Sequence, residues 1–339
     1  MSSPVRFPGE WEPHRATWIF WPTDPGRYFY GRAGDFPSIL EAYRRLADVL
    51  CAFETVHVAV DPRREAEARA TLGGRAIVHG IPLDDAWARD AAPTFVSRGD
   101  DLSAVCWRFT GWGGRFGPID RDAAAAPLVA GLSAARNVCS TTVGMEGGGI
   151  LSDGRGLVLT TVPVLSDPGR NPGKDPASLR AELAGLLGAR RLVELPSGFA
   201  GDDTGGHVDV VAAVSPSGAV LLNDCRDRDD PNAAGSAANR RALADAGCEV
   251  VPVPQPGARF AGKDRLPYSY LNLYPCNGAV LVPAFGDRLD GYVRDLVAEH
   301  FPDREVIPLD ARPFYLGGGG LHCVTQPVPE IGCPRGHRR

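Results

Sequence analysis

The chain has 339 residues, 44% of them hydrophobic and 23% charged, with a formal charge of −5. That length supports a large core, as one big domain or two ordinary ones, and without a basic surplus neither nucleic acid nor an anionic membrane is expected as a partner. The opening Met1-Ser2-Ser3-Pro4-Val5-Arg6-Phe7-Pro8 lacks the apolar run of a signal peptide, and no segment of about 18 apolar residues could span a bilayer, so a cytoplasmic protein is expected.

Short apolar runs alternate with helix-like stretches along the whole chain. Thr17 to Trp21 reads as a strand. Ser38 to Phe53 reads as an amphipathic helix, with Ile39, Tyr43, Leu46, Val49 and Leu50 at helical spacing. Thr55 to Val60 alternates like a strand, and Asp61-Pro62 is suited to open the next helix. Further strands are expected at Arg75 to His79, Val105 to Phe109, Asn137 to Thr141, Leu157 to Thr161, Arg191 to Leu195, Ala219 to Leu222, Tyr268 to Tyr274, Ala279 to Val282 and Glu305 to Pro308. Helices fit Pro176 to Leu187, Pro231 to Ala246 and Arg288 to His300. The Pro/Gly-rich stretch 163–176 reads as a loop rather than a linker, so a single domain over 1–339 is expected. This pattern alone supports α/β or α+β without a topology.

Eight cysteines are scattered without any CxxC spacing, so reduced thiols and no metal clip are expected. Cys323 stands apart. It follows Gly317-Gly318-Gly319-Gly320-Leu321-His322, and four consecutive glycines cannot be a helix or strand interior. A thiolate is a strong nucleophile, but a glycine-rich turn into a buried, inert cysteine explains the same residues. If this stretch is extended, His322 points away from Cys323, which favours a structural role for it.

Four other clusters place charge in glycine-rich or apolar surroundings: Trp87-Ala88-Arg89-Asp90, Trp112-Gly113-Gly114-Arg115, Glu146-Gly147-Gly148-Gly149 and Gly201-Asp202-Asp203-Thr204-Gly205-Gly206-His207-Val208-Asp209. In strand conformation, His207 and Asp209 share a face. Taken singly, Asp90 can pair with Arg89, Glu146 can cap a turn and Asp209 can be solvated. Taken together, the carboxylates suit a planar guanidinium, whose five donors match them in a fork. A cysteine and a histidine suit attack on an sp2 carbon followed by proton delivery to a leaving amine.

In order along nearly the whole chain, Pro8-Gly9-Glu10-Trp11-Glu12-Pro13-His14, Trp87-Ala88-Arg89-Asp90, Trp112-Gly113-Gly114, Glu146-Gly147-Gly148, Gly206-His207-Val208-Asp209, Asn277-Gly278 with Val282 to Asp287, and Gly317 to Cys323 resemble the agmatine deiminases. That family also contains the bacterial-type peptidyl-arginine deiminases and lies within the guanidine-modifying pentein superfamily. The resemblance implies a five-bladed α/β propeller of ββαβ units around a central channel, with the site at one mouth. It implies a hydrolase that converts agmatine to N-carbamoylputrescine and ammonia, a step toward putrescine, and it implies no cofactor and no metal.

By the same resemblance, Cys323 is the nucleophile that forms a thiouronium, and Asp90 and Asp209 grip the guanidinium. His207 is the proton donor and then the base, and Glu146 holds His207. Trp87, Trp112, Asp203 and Gly320 join Asp90 and Asp209 in contacting the substrate. The partner is a small cationic guanidine; a homo-oligomer is left open.

The pattern departs in one region. Thr204-Gly205-Gly206-His207 stands where the agmatine enzymes usually read T-D-G-H, and Val210 and Pro327 replace usually polar residues. These positions bear on the far end of the substrate rather than on the chemistry. Deimination of another guanidine, such as peptidyl-arginine or a specialised metabolite, or amidino transfer to an amine, is therefore the alternative expectation.

Overall fold

Phe36–Cys51 is helical because its start is satisfied locally. The Asp35 carboxylate accepts from the Ser38 amide, and a proline occupies the first turn, where a missing N–H costs nothing. Ile39, Tyr43, Leu46 and Leu50 form its buried stripe, and each buried leucine stabilises the fold by about 1.5–3 kcal/mol. Pro176–Leu187 follows the same rule, with Asp175 capping Ser178 and the left-handed Gly188 (φ 65°) ending the helix.

In the computed structural model, which describes residues 3–332, these elements build one motif five times. Each unit has an antiparallel strand pair, a crossover helix and a third strand parallel to the second. The second unit pairs Thr94–Arg98 with Asp101–Arg108, crosses through Asp120–Leu132 and adds Asn137–Gly144. The third uses Leu151–Ser152, Leu157–Thr161, Pro176–Leu187 and Arg191–Leu195. The fourth uses Ala212–Val214, Val220–Asp224, Asn232–Asp245 and Val250–Pro254. The fifth uses Tyr274–Cys276, Ala279–Ala284, Asp290–His300 and Glu305–Asp310. The first unit is shared by both ends of the chain: Thr325–Pro329 pairs antiparallel with His14–Phe20, which runs parallel to Val56–Val60 across Phe36–Cys51. A further helix, Glu65–Leu72, leads to its edge strand Ile77–Gly80. This is the expected ββαβ repeat.

Three expectations need correction. Of Tyr268–Tyr274, only Tyr274 is in a strand; the residues before it form a buried irregular segment. The stretch 163–176 begins inside the short helix Val162–Ser166, and its Asp167 and Arg170 are buried rather than on a surface loop. His207 and Asp209 do not lie in a strand, because Val208–Val210 is a turn of 3₁₀ helix. Cys333 lies outside the described residues.

The links between consecutive units position the site. Segments 81–93, 145–150, 196–211, 255–273 and 311–324 each join the last strand of one unit to the first strand of the next. Contacts between these links close a ring. The Gly148 amide donates to Asp90 Oδ1 at 3.0 Å, and His207 Nε2 lies 3.2 Å from Glu146 Oε2. Asn272 Nδ2 donates to the Asp209 carbonyl at 3.4 Å and to Cys323 Sγ at 3.2 Å. The Arg89 amide donates to the Cys323 carbonyl at 3.1 Å.

Candidate active site

Each link therefore delivers chemistry to one place: Asp90, Glu146, the His207 and Asp209 pair, Asn272, and Cys323. All six are buried. A pocket of about 390 Å³ opens above them. Trp87, Asp90, Trp112, Asp203, Asp209 and Cys323 are among the residues that line it, so the sequence-expected set is largely gathered here.

Cys323 lies in a turn, not an extended segment. Its Sγ is 3.5 Å from Asp209 Oδ2. Burial, together with the Asp209 and Asp90 carboxylates, pushes the thiol well above its usual range; the Gly320 amide and Asn272 oppose this. A thiol held this way needs a cation beside it to ionise.

Asp90 is fixed from both sides, accepting from the Gly148 amide and, at 2.9 Å, from Trp112 Nε1. Burial raises its pKa, with the Asp209 and Glu146 carboxylates adding to that rise. It does not pair with Arg89, whose guanidinium binds Glu10 at 2.5 Å. Trp112 holds this contact from the left-handed region (φ 57°), a conformation that costs a non-glycine residue about 1–3 kcal/mol and is found where surroundings enforce it.

His207 Nδ1 is 3.9 Å from Asp90 Oδ1. Burial favours its neutral ring, but the Asp90 and Glu146 carboxylates outweigh burial and push its pKa up to about 9. Glu146 caps no turn. Burial opposes its ionisation, but Arg170 and His207 more than offset that and hold it below the usual carboxylate range.

The glycines in these motifs are matters of space. A Cβ on Gly148 would sit 2.5 Å from His207 Nδ1 and 3.0 Å from both Asp209 Oδ2 and Asp90 Oδ1. It would fill the gap on which these three groups converge. Among the described residues, His207 Nδ1, Asp209 Oδ1 and Glu146 Oε1 are buried without a hydrogen-bond partner. Buried polar atoms are rarely left so; the two carboxylate oxygens fit a flat cationic donor, and the charged His207 ring has an Nδ1–H free to donate.

Trp87 forms one wall, stacked on Tyr28 and donating to Tyr30 Oη at 2.9 Å. Gly319 approaches it so closely that a Cβ there would lie 2.7 Å from the indole. Asp203 stands at the mouth, partly exposed and ion-paired with Arg32. Gly320 lies elsewhere: the pocket is lined by Gly317 to Gly319, while Gly320 packs on Asn272 and Tyr315 and turns its amide to the thiol.

Three residues escaped sequence reading, two of them buried and Glu10 partly so. Arg170 donates to Glu146 Oε2 at 2.8 Å and to the Thr204 carbonyl at 2.6 Å. Asn272 accepts from the His322 amide at 3.0 Å while donating to the thiol. Glu10 binds Arg89 and His322 behind the site. The only signals available were a polar residue inside an apolar run for Asn272 and the opening motif for Glu10.

With this geometry in hand, comparison with known proteins is informative. The profile of the Porphyromonas-type peptidyl-arginine deiminase family matches residues 6–329. A Streptomyces coelicolor protein, provisionally named as an agmatine deiminase, is 40% identical over 338 residues, covering 96% of this chain and 99% of the relative. The agmatine deiminase of Pseudomonas fluorescens is 34% identical over 352 residues, covering 95% of each chain. The solved structure of the Enterococcus faecalis agmatine deiminase superposes with a TM-score of 0.90 at 27% identity, covering 98% of this chain and 99% of that one.

Proposed function

This chain belongs to the Porphyromonas-type peptidyl-arginine deiminase family, and from that premise we infer that it hydrolyses the guanidinium of agmatine, releasing N-carbamoylputrescine and ammonia, as a single catalytic domain. The observation that carries this reading is the convergence of Asp90, Asp209 and His207 on one gap beside Cys323 Sγ. The names of its relatives supply the substrate. The seven described cysteines are free thiols, which supports a cytoplasmic setting.

Asp90 and Asp209 hold the guanidinium flat and charged, so its carbon stays electrophilic. The same cation offsets the carboxylates that keep Cys323 protonated, and the thiol proton leaves to solvent. The thiolate adds to the guanidinium carbon. His207, charged and held by Glu146, gives its proton to the departing amine, which leaves as ammonia. A thiouronium remains. Neutral His207 then takes a proton from water, and the hydroxide adds to the same carbon. The carbon–sulfur bond breaks, the thiolate is restored, and the added hydroxyl gives up its remaining proton to solvent as the neutral ureido product forms.

The sign of the pH dependence follows from His207. Its proton is needed for the leaving amine and is lost as pH rises through about 9. Accordingly, kcat/KM should fall above about pH 9, a limb that reports the free enzyme. A rate-versus-pH profile that climbs steadily to pH 10 would remove His207 from the donor role.

The distal ammonium of agmatine reaches the mouth, where Asp203 supplies a carboxylate. Asp203→Asn should raise KM for agmatine by about two- to fivefold, the scale of a partly exposed charge pair, with little change in kcat. KM for methylguanidine, which lacks that ammonium, should stay put. Equal effects on the two substrates would take Asp203 out of distal recognition.

One observation favours a second reading, deimination of another guanidine. Gly205 (φ +82°) replaces the acidic residue of the usual pattern, and a Cβ there would lie 2.6 Å from the Arg115 guanidinium. The segment from Thr204 to His207 is thus one carboxylate poorer than the T-D-G-H pattern. Turnover of agmatine, arginine and a blocked arginine peptide side by side separates the two readings.

A further inference from the structure

Behind the pocket, away from the thiol, lies a buried chain of charges that the mechanism above does not use. His322 is 2% exposed, and both its ring nitrogens meet carboxylates. Nδ1 lies 2.8 Å from Asp209 Oδ2, and Nε2 lies 2.9 Å and 3.0 Å from the two oxygens of Glu10. A neutral imidazole has one donor and one acceptor, so it can satisfy only one of two ionised carboxylates. Burial opposes ionisation of both carboxylates, but Arg89, 2.5 Å from Glu10, together with His322 holds the Glu10 pKa down to about 2, and His322 holds Asp209 below the usual carboxylate range. Both ring nitrogens must therefore donate, and the ring is an imidazolium.

The charged groups facing His322 are Glu10 from the N-terminal segment, Asp209 from the 196–211 link, and Arg89, whose Nε donates to the His322 carbonyl at 3.3 Å. Burial, and after it Arg89, oppose the charge on His322; Glu10 and Asp209 together outweigh them. The consequence falls on Asp209. Its Oδ2 is tied to His322 and lies 3.5 Å from Cys323 Sγ, while its Oδ1 has no partner among the described residues.

We propose that His322 is a positioning residue for deimination: as an imidazolium clamped between Glu10 and Asp209, it locks the orientation in which the Asp209 carboxylate faces the gap and the thiol. The inference rests on the proposed deiminase reading for its purpose, but its geometry can be tested without turnover. His322 would thus link the first motif of the chain, through Glu10, to the last.

Two measurements test it. In protein labelled with ¹⁵N-histidine, NMR should show a doubly protonated ring that persists above neutral pH, is assigned by its loss in His322→Gln, and titrates at lower pH in Glu10→Gln. This readout does not depend on which guanidine, if any, is turned over. In kinetics on whichever guanidine the wild-type protein uses, His322→Gln should raise KM by about ten- to a hundredfold, the scale of a charge-assisted hydrogen bond. It should also move the acidic limb of kcat/KM to higher pH, because Asp209 then holds a proton more readily. Glu10→Gln should move the same limb less. A merely structural histidine would lower the yield or the melting temperature and leave both limbs in place.

The proposal is overturned if the His322 ring is neutral near pH 7, or if Glu10→Gln leaves its titration unchanged. Should His322→Gln fail to fold, the Glu10→Gln titration decides alone. Failure of the deiminase reading would instead appear as no turnover of any guanidine, with the NMR signature intact.

Discussion

Replacing Cys323 with serine should lower turnover by at least about 10⁴-fold, the scale seen when a covalent nucleophile is removed from a machinery that acts as a unit. The reason is specific to this site. Burial and two carboxylates already hold the thiol protonated, and a serine hydroxyl, several pKa units weaker as an acid, gains far too little from the bound cation to ionise. The fold should not suffer: the change is nearly isosteric, and the Asn272 amide can donate to a hydroxyl as it does to sulfur. The variant should therefore still bind the substrate. Steady-state rates beside a binding isotherm check both parts. Near-normal turnover by the serine variant would end the covalent mechanism, and loss of binding would mean that Cys323 shapes the site rather than attacking.

The second large effect is expected from one added methyl group. Gly148→Ala should cost about a hundredfold or more in kcat/KM, since displacing reacting groups by about 1 Å is enough for that. The new Cβ would press on His207 Nδ1 at 2.5 Å and on two carboxylate oxygens at 3.0 Å. These are fixed groups, with Asp90 anchored by Trp112 and Asp209 by His322, so the methyl has nowhere to go without spoiling the cradle. Gly148 is not in the left-handed region, so the loss would not come from backbone strain. Kinetics together with a melting curve separate the two causes. A variant that melts normally but turns over poorly is the expected result; normal kinetics would show that the gap is not where the guanidinium sits.

How much of this was legible in the sequence depended on the range of the interaction. Leu157–Thr161, Arg191–Leu195 and Pro176–Leu187 fall where apolar runs and a capping aspartate put them, because those signals act within a few residues. Asp120–Leu132 was not singled out: its alanine-rich face carries little periodic contrast, and Pro127 lies inside it. Tyr268–Tyr274 looks like a strand by composition, yet Asn272 is needed as a bridge between two links, and that tertiary demand overrides local preference.

At the site, Cys323, His207, Asp90, Asp209 and Glu146 announced themselves by unusual company, charge beside glycine. Arg170 did not, since Asp167-Pro168-Gly169-Arg170-Asn171-Pro172-Gly173 has the look of a solvated turn, and its burial against Glu146 comes from a distant part of the fold. The structural reading of His322 rests on a local premise that the fold does not meet. Alternation along an extended segment would have turned it away from the chemistry, but residues 321–324 form a turn, and it meets Asp209 from behind.

The most direct measurement is the formation of ureido product and ammonia when the wild-type protein is incubated with agmatine, beside a Cys323→Ser control. The account predicts N-carbamoylputrescine and ammonia in equal amounts, absent from the control. Wild-type protein that leaves agmatine and every other guanidine intact would contradict it.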